Sequence, residues 1–156
     1  MALPSPEEMA GMLPEELAPL VLQELTGHGQ IKGARFHYSS YCSHLNQIYG
    51  PRVAHHVLEA AGRSLTEACA HLQQLGFVAF DTDVAYGWMF VTRRGNQAVA
   101  SLETYEREQI RARFPAATFH RLLCGASYDA FVRGNFQQAV TEAFREIGRA
   151  SCRERV

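Results

Sequence analysis

The chain has 156 residues, 47% of them hydrophobic and 20% charged, with a formal net charge of −1. That balance suits one ordinary domain, or two small ones, of a soluble globular protein. It excludes a membrane span, because no apolar run approaches the roughly 18 residues required. It also excludes a disulfide scaffold, because Cys42, Cys69, Cys124 and Cys152 lack framework spacing.

Reduced thiols in a cytoplasmic protein are the expectation. An N-terminus with Glu7 and Glu8 and no basic segment predicts no secretory leader. Ser5-Pro6-Glu7-Glu8 has the form of a capping box with Pro at the first helical position. Pro14 can open the next helix, with Leu17, Leu20, Val21 and Leu25 on one face and Pro19 kinking or delaying it. Residues 30–38 read as loop. Ser39 or Ser40 can cap a helix with the stripe Tyr41, Leu45, Ile48, which Gly50-Pro51 ends. The following segment turns Val53, Val57 and Ala61 inward, and Gly62 leaves open whether residues 51–75 form one helix or two.

Ser64-Leu65-Thr66-Glu67 is a second capping box, expected to open a helix with Leu65, Ala68, Cys69, Leu72 and Leu75 inward and Gly76 as its left-handed stop. The apolar period then falls from about 3.6 to 2. Residues 77–80 predict a strand, 81–86 a polar turn and 87–91 a return strand. Thr92 is placed to cap a long helix over about 93–113, and residues 115–118 read as a linker. Two more helices follow, one over about 119–132 that stops at Gly134. The other is capped by Asn135, with Gln138 in the reciprocal position. Its stripe is Phe136, Ala139, Val140, Ala143, Phe144, Ile147.

The fold class expected is therefore mainly α with one β-hairpin. The order of helices and hairpin, closed by Thr92-Arg93-Arg94-Gly95, resembles a winged helix-turn-helix over residues 15–113, behind an N-terminal extension over 1–14. In such a module the helix before the hairpin would enter a DNA major groove. Its candidate contacts are Arg63, Thr66, His71, Gln73 and Gln74, with Arg93 and Arg94 near the backbone. From 27 to 100, Lys32, Arg35, Arg52, Arg63, Arg93 and Arg94 stand against Glu59, Glu67, Asp81 and Asp83. That excess of two is mild for an affinity that depends on phosphate neutralisation. A packing or protein-interaction module is the competing reading.

Trp88 and Phe90 share one strand face and are expected to pack the hairpin onto the helices. Cys42-x-His44 and Cys69-x-His71, with His55 and His56 nearby, superficially suggest zinc. Residues two apart on a helix point about 200° from each other, so neither pair converges on one ion. No metal, no other cofactor and no nucleophile–base arrangement is expected.

"GNFQQAVTEAF" resembles one helix of a tetratricopeptide repeat, but no second repeat is visible. A wider likeness runs through "SLTEACAHLQQLGFVAF", "GWMFVTRRG", "FHRLL" and "FVRGNFQQAVTEAF" in that order. Over roughly 15–146 the chain resembles the Ymh-type family of conserved hypothetical prokaryotic proteins. The resemblance implies a winged-helix-like N-terminal half and a HEPN-like helical C-terminal half, here a hairpin over 119–146 after a linker at 114–118. It also implies a nucleic-acid-directed parent in a defence or toxin system, which could be an RNA-cleaving enzyme. No catalytic residue carries over to this chain.

The last ten residues, Ile147 to Val156, can be written codon by codon as the translation of a standard short-read sequencing adapter. They are therefore expected to be an artefact that truncates the natural sequence after about Glu146, and without them the net charge falls to about −3. The expected partners are duplex DNA or, failing that, a second copy or another protein held through the C-terminal helices. Leu123, Phe131, Phe136, Val140 and Phe144 are the apolar candidates for that association.

Overall fold

The computed structural model describes residues 3–27, 35–37, 39, 43, 47, 49, 50, 52–83 and 87–153, with side chains as far as Ala150. Among them are seven α-helices and a three-stranded antiparallel sheet, so the protein is mainly α with a small β element. The stripe Tyr41, Leu45, Ile48, the tip of the hairpin turn, and Cys42 and His44 lie outside the described residues. The chain divides into two compact units, one ending at Tyr105 and the other beginning at Glu106. The division falls inside the helix Leu102–Arg113, not in the 114–118 segment.

In the first unit, helix α1 (Pro6–Gly11) starts in the expected capping box. Glu8 N donates to Ser5 Oγ (3.3 Å), and Ser5 N donates to the Glu8 carboxylate (2.9 Å). Helix α2 (Pro14–Gly27) is continuous across Pro19, so the delay expected there does not occur. Pro19 removes one backbone bond near the start of the helix. Burial of Leu17, Val21, Leu22 and Leu25 offsets that loss, at roughly 1.5–3 kcal/mol per fully buried side chain.

Helix α3 (His55–Gln74) is one continuous element, which settles the open question at Gly62. The box at Ser64–Glu67 opens nothing and sits mid-helix, where Thr66 Oγ1 bonds back to the Gly62 carbonyl (2.8 Å). Tertiary packing decides the matter. Leu58, Ala61, Leu65, Ala68, Cys69 and Leu72 form one unbroken buried stripe, against which α1 and α2 pack. The helix ends as expected at Gly76, with φ +72°. Gly76 N donates to Gln73 O and Phe77 N to Leu72 O, both at 2.9 Å, the paired bonds of a Schellman stop.

Strands β1 (Arg35–His37), β2 (Val78–Phe80) and β3 (Trp88–Val91) follow the order β1-β3-β2. β1 falls in the stretch read as loop. Three residues are too short to show a period, and pairing with β3 makes it a strand. The face of β3 is also corrected. Met89 and Val91 are buried, while Trp88 and Phe90 are only half-buried on the opposite face. All four residues are apolar, so their alternation alone could not choose the inner pair.

The long helix expected over 93–113 is two. Thr92 caps α4 (Arg93–Ala98), and Ser101 Oγ accepts from Thr104 N (3.1 Å) at the start of α5 (Leu102–Arg113). Phe77 meets Tyr105 edge-on at 5.4 Å.

In the second unit, two 3₁₀ turns (Ala116–Thr118 and Arg121–Leu123) occupy the linker and the first part of the helix expected from 119. The helix itself, α6 (Ala126–Val132), starts later. It stops at Gly134, φ +76°, through Gly134 N to Phe131 O and Asn135 N to Ala130 O. Helix α7 (Phe136–Arg153) then packs against α6.

One glycine is held by space and not by φ. A Cβ on Gly95 would overlap the Phe77 carbonyl oxygen and come within 2.9 Å of Val91 Cγ1. Gly76 has nothing within 4 Å and only its left-handed backbone to lose. We expect Gly95→Ala to destabilise the protein by about 3 kcal/mol and Gly76→Ala by about 1–2 kcal/mol. Urea unfolding measures both, and an equal or smaller loss for Gly95→Ala would contradict this close approach.

Candidate functional site

Two surfaces compete for attention, one in each unit. The first is the outward side of α3 with the segment after β3. Arg63, Glu67, Ala70 and Gln74 are exposed and lie on one line of the helix, opposite the buried stripe. Thr66 and Gln73 lie together on one flank. Thr66 is half-buried, its hydroxyl committed to the Gly62 carbonyl. His71 is half-buried on the other flank, about 200° round from Gln73. The structure therefore does not bring the candidate residues of this helix onto one face.

Arg93 and Arg94 stand in the first turn of α4, Arg93 exposed and Arg94 half-buried. Thr92 ties them to the end of α3. Its Oγ1 donates to the Gly76 carbonyl (2.7 Å), and the same oxygen accepts from Gly95 N (3.1 Å). Gln73, Gln74, Arg93 and Arg94 thus gather at one end of α3. Arg63 is about 16 Å away along the axis at 1.5 Å per residue. Two cations at a helix N-terminus oppose the macrodipole and do not stabilise α4.

Charge around this surface is not basic. The hairpin turn carries Asp81 and Asp83, and the Arg35 guanidinium pairs with Asp81. His55 lies 3.6 Å from Glu59 on the first turn of α3. Through Tyr105 the sequence has six Lys and Arg against ten Asp and Glu. The sequence window from 27 to 100 missed this because the acidic residues of α1 and α2 fall before it.

Cys69 is buried in the stripe of α3 while His71 lies on a flank, so they do not share a ligand position. Among the described residues no three His, Cys, Asp or Glu side chains group as metal ligands. No helix among them is long and apolar enough to cross a membrane.

The second surface is α7. Its inner side meets α6 through Ala139, which is buried. Beside that contact, Phe136, Val140 and Phe144 are 59%, 56% and 71% exposed, and Ile147 continues their line. Phe136 is anchored at its base, with its ring 5.8 Å from Phe131. Phe131 in turn contacts Phe114 and Phe119, and Tyr128 fixes Phe114 by donating its hydroxyl proton to that residue's carbonyl (2.9 Å). Of the apolar candidates from the sequence, Leu123 and Phe131 are half-buried and the three on α7 are exposed.

No protein-family model matches the chain, and neither the curated proteins nor the solved structures contain a match.

Proposed function

We propose that this chain is a non-enzymatic interaction module, in which α7 of one copy pairs with α7 of a second. The exposed run Phe136, Val140, Phe144 carries the reading. Three large apolar side chains in line on one helix are a surface that water disfavours. The edge of the run away from α6 is formed by Gln137 and Thr141, neither of them charged. A homotypic pair lays a surface against itself, so a charged edge would oppose like with like. This edge does not. The run Phe136, Val140, Phe144 lies before Ile147, where the stretch that reads as adapter begins.

Sedimentation velocity of the full chain over a range of concentrations tests this reading. The wild type should pass from monomer to dimer, Phe144→Glu should remain monomeric, and a chain ending at Glu146 should still dimerise. Monomeric behaviour of the wild type throughout, or dimerisation of Phe144→Glu, would remove the proposal.

One observation favours a second reading. Helix α2, β1, α3 and the β2–β3 hairpin follow one another in a sheet ordered β1-β3-β2, the arrangement expected of a winged helix. On this reading the first unit contacts duplex DNA through Arg93 and Arg94. Within the resemblance to the Ymh-type family, it would serve a HEPN-type defence or toxin protein. The acidic excess through Tyr105 makes it the weaker of the two. If it holds, replacing both arginines by alanine should weaken binding to every duplex alike and flatten the salt slope by up to about two units. A fluorescence anisotropy titration at several salt concentrations reads this, and an unchanged slope would count against the DNA reading.

A further inference from the structure

The exposed run on α7 has two unlike sides. Phe136 stands three residues before the buried Ala139, so it leans towards α6, and its ring is held 5.8 Å from Phe131. Phe144 stands three residues after Thr141, so it leans towards the opposite edge, and it is 71% exposed. Along that edge opens a groove of about 650 Å³, lined by Phe136, Gln137, Thr141, Glu142 and Arg145 among others. Glu142 and Arg145 pair with each other at 2.8 Å, and the lining carries no net charge. Such a groove suits an uncharged guest and not an ion.

Phe136 and Phe144 lie one turn before and one turn after Val140, each about 6 Å from it along the axis at 1.5 Å per residue. Two copies of the helix can therefore close a symmetric pair in two ways. In a parallel pair the α6 side of one copy lies against the groove side of the other. The ring brought to the groove is then Phe136, which Phe131 already holds. In an antiparallel pair with Val140 at the two-fold axis, groove side lies beside groove side. Phe144 of one copy then comes to the level of Phe136 of the other, at the edge where Gln137 and Thr141 border the groove. Only this arrangement brings the more exposed of the two rings to the groove.

Resting on the pairing of α7 proposed above, we infer that the two helices run antiparallel, with Phe144 of each copy seated between Phe136 and Gln137 of the other. The mouth of the groove is the receiving site for that ring. Contact between Phe144 and Phe136 then adds to what the covered area alone contributes.

Sedimentation velocity of mixed full-length variants tests the direction. Phe136→Lys, Phe144→Glu and Phe144→Lys, each alone, should lose the dimer at concentrations where the wild type forms it. An equimolar mixture of Phe136→Lys and Phe144→Glu should recover a dimer that added salt weakens. An antiparallel pair sets the new lysine against the new glutamate at one contact and keeps two phenylalanines at the other. A mixture of Phe144→Lys and Phe144→Glu should stay monomeric, because each new charge then faces Phe136. The reverse pattern, recovery in the second mixture and none in the first, would show a parallel pair and overturn this inference while leaving the pairing itself intact. A dimer of Phe136→Lys alone would overturn it too, and a monomeric wild type would remove both the pairing and its direction. Phe136 and Phe144 are exposed, so the variants should fold, and a circular dichroism spectrum like that of the wild type checks this.

Discussion

The backbone carbonyl of Phe77 is the point on which the first unit depends. It accepts from Thr92 N (2.9 Å) and from Thr92 Oγ1 (3.2 Å), and Gly95 lies so close that no side chain fits between. Phe77 also closes the end of α3 through its own N–H, while its ring is fully buried. One residue thus joins the stop of the long helix, the start of β2, the exit from β3 and the cap of α4. Each partner supplies what its chemistry allows. Gly76 supplies the left-handed backbone, Thr92 a donor and acceptor on one oxygen, and Gly95 the lack of a Cβ.

The two units differ in how far they cover their apolar faces. In the first, α3 has α1 and α2 against it, and its buried stripe has no exposed large apolar neighbour on the same helix. In the second, α7 has α6 and a 3₁₀ turn against it, and half of its apolar arc stays in water. A helix is most stable when its whole apolar stripe is covered. The surplus on α7 is why association ranks above DNA contact here. The outward line of α3 carries Arg63 and Glu67, of opposite sign, and has no comparable surplus of either charge or apolar area.

Elements marked by backbone chemistry were legible in the sequence. Ser5 with Glu8 marked α1, Gly76 and Gly134 marked two helix stops, and Thr92 marked α4. Each does so because few residues satisfy those backbone positions. The stripe from Leu65 to Leu75 was equally plain. Where local signals misled, packing had overridden them. The box at Ser64 is genuine as a pattern, yet Leu58 and Ala61 extend the same buried face past it, and the helix continues. The face of β3 was illegible because both of its faces are apolar. The candidate contacts on α3 were chosen as outward residues, but a helix spreads outward residues over more than half a turn. Thr66 and His71 consequently stand on opposite flanks.

Amide hydrogen exchange of the full chain at low and high protein concentration tests the central claim most directly. If α3 is the covered helix and α7 the uncovered one, the amides of Leu65 to Leu72 should exchange slowly and at the same rate at both concentrations. Those of Val140 to Phe144 should exchange fast when dilute and slow markedly when concentrated. Protection of α7 that is independent of concentration would mean that its apolar face is already satisfied within one chain, and that the account of it as a pairing surface is wrong.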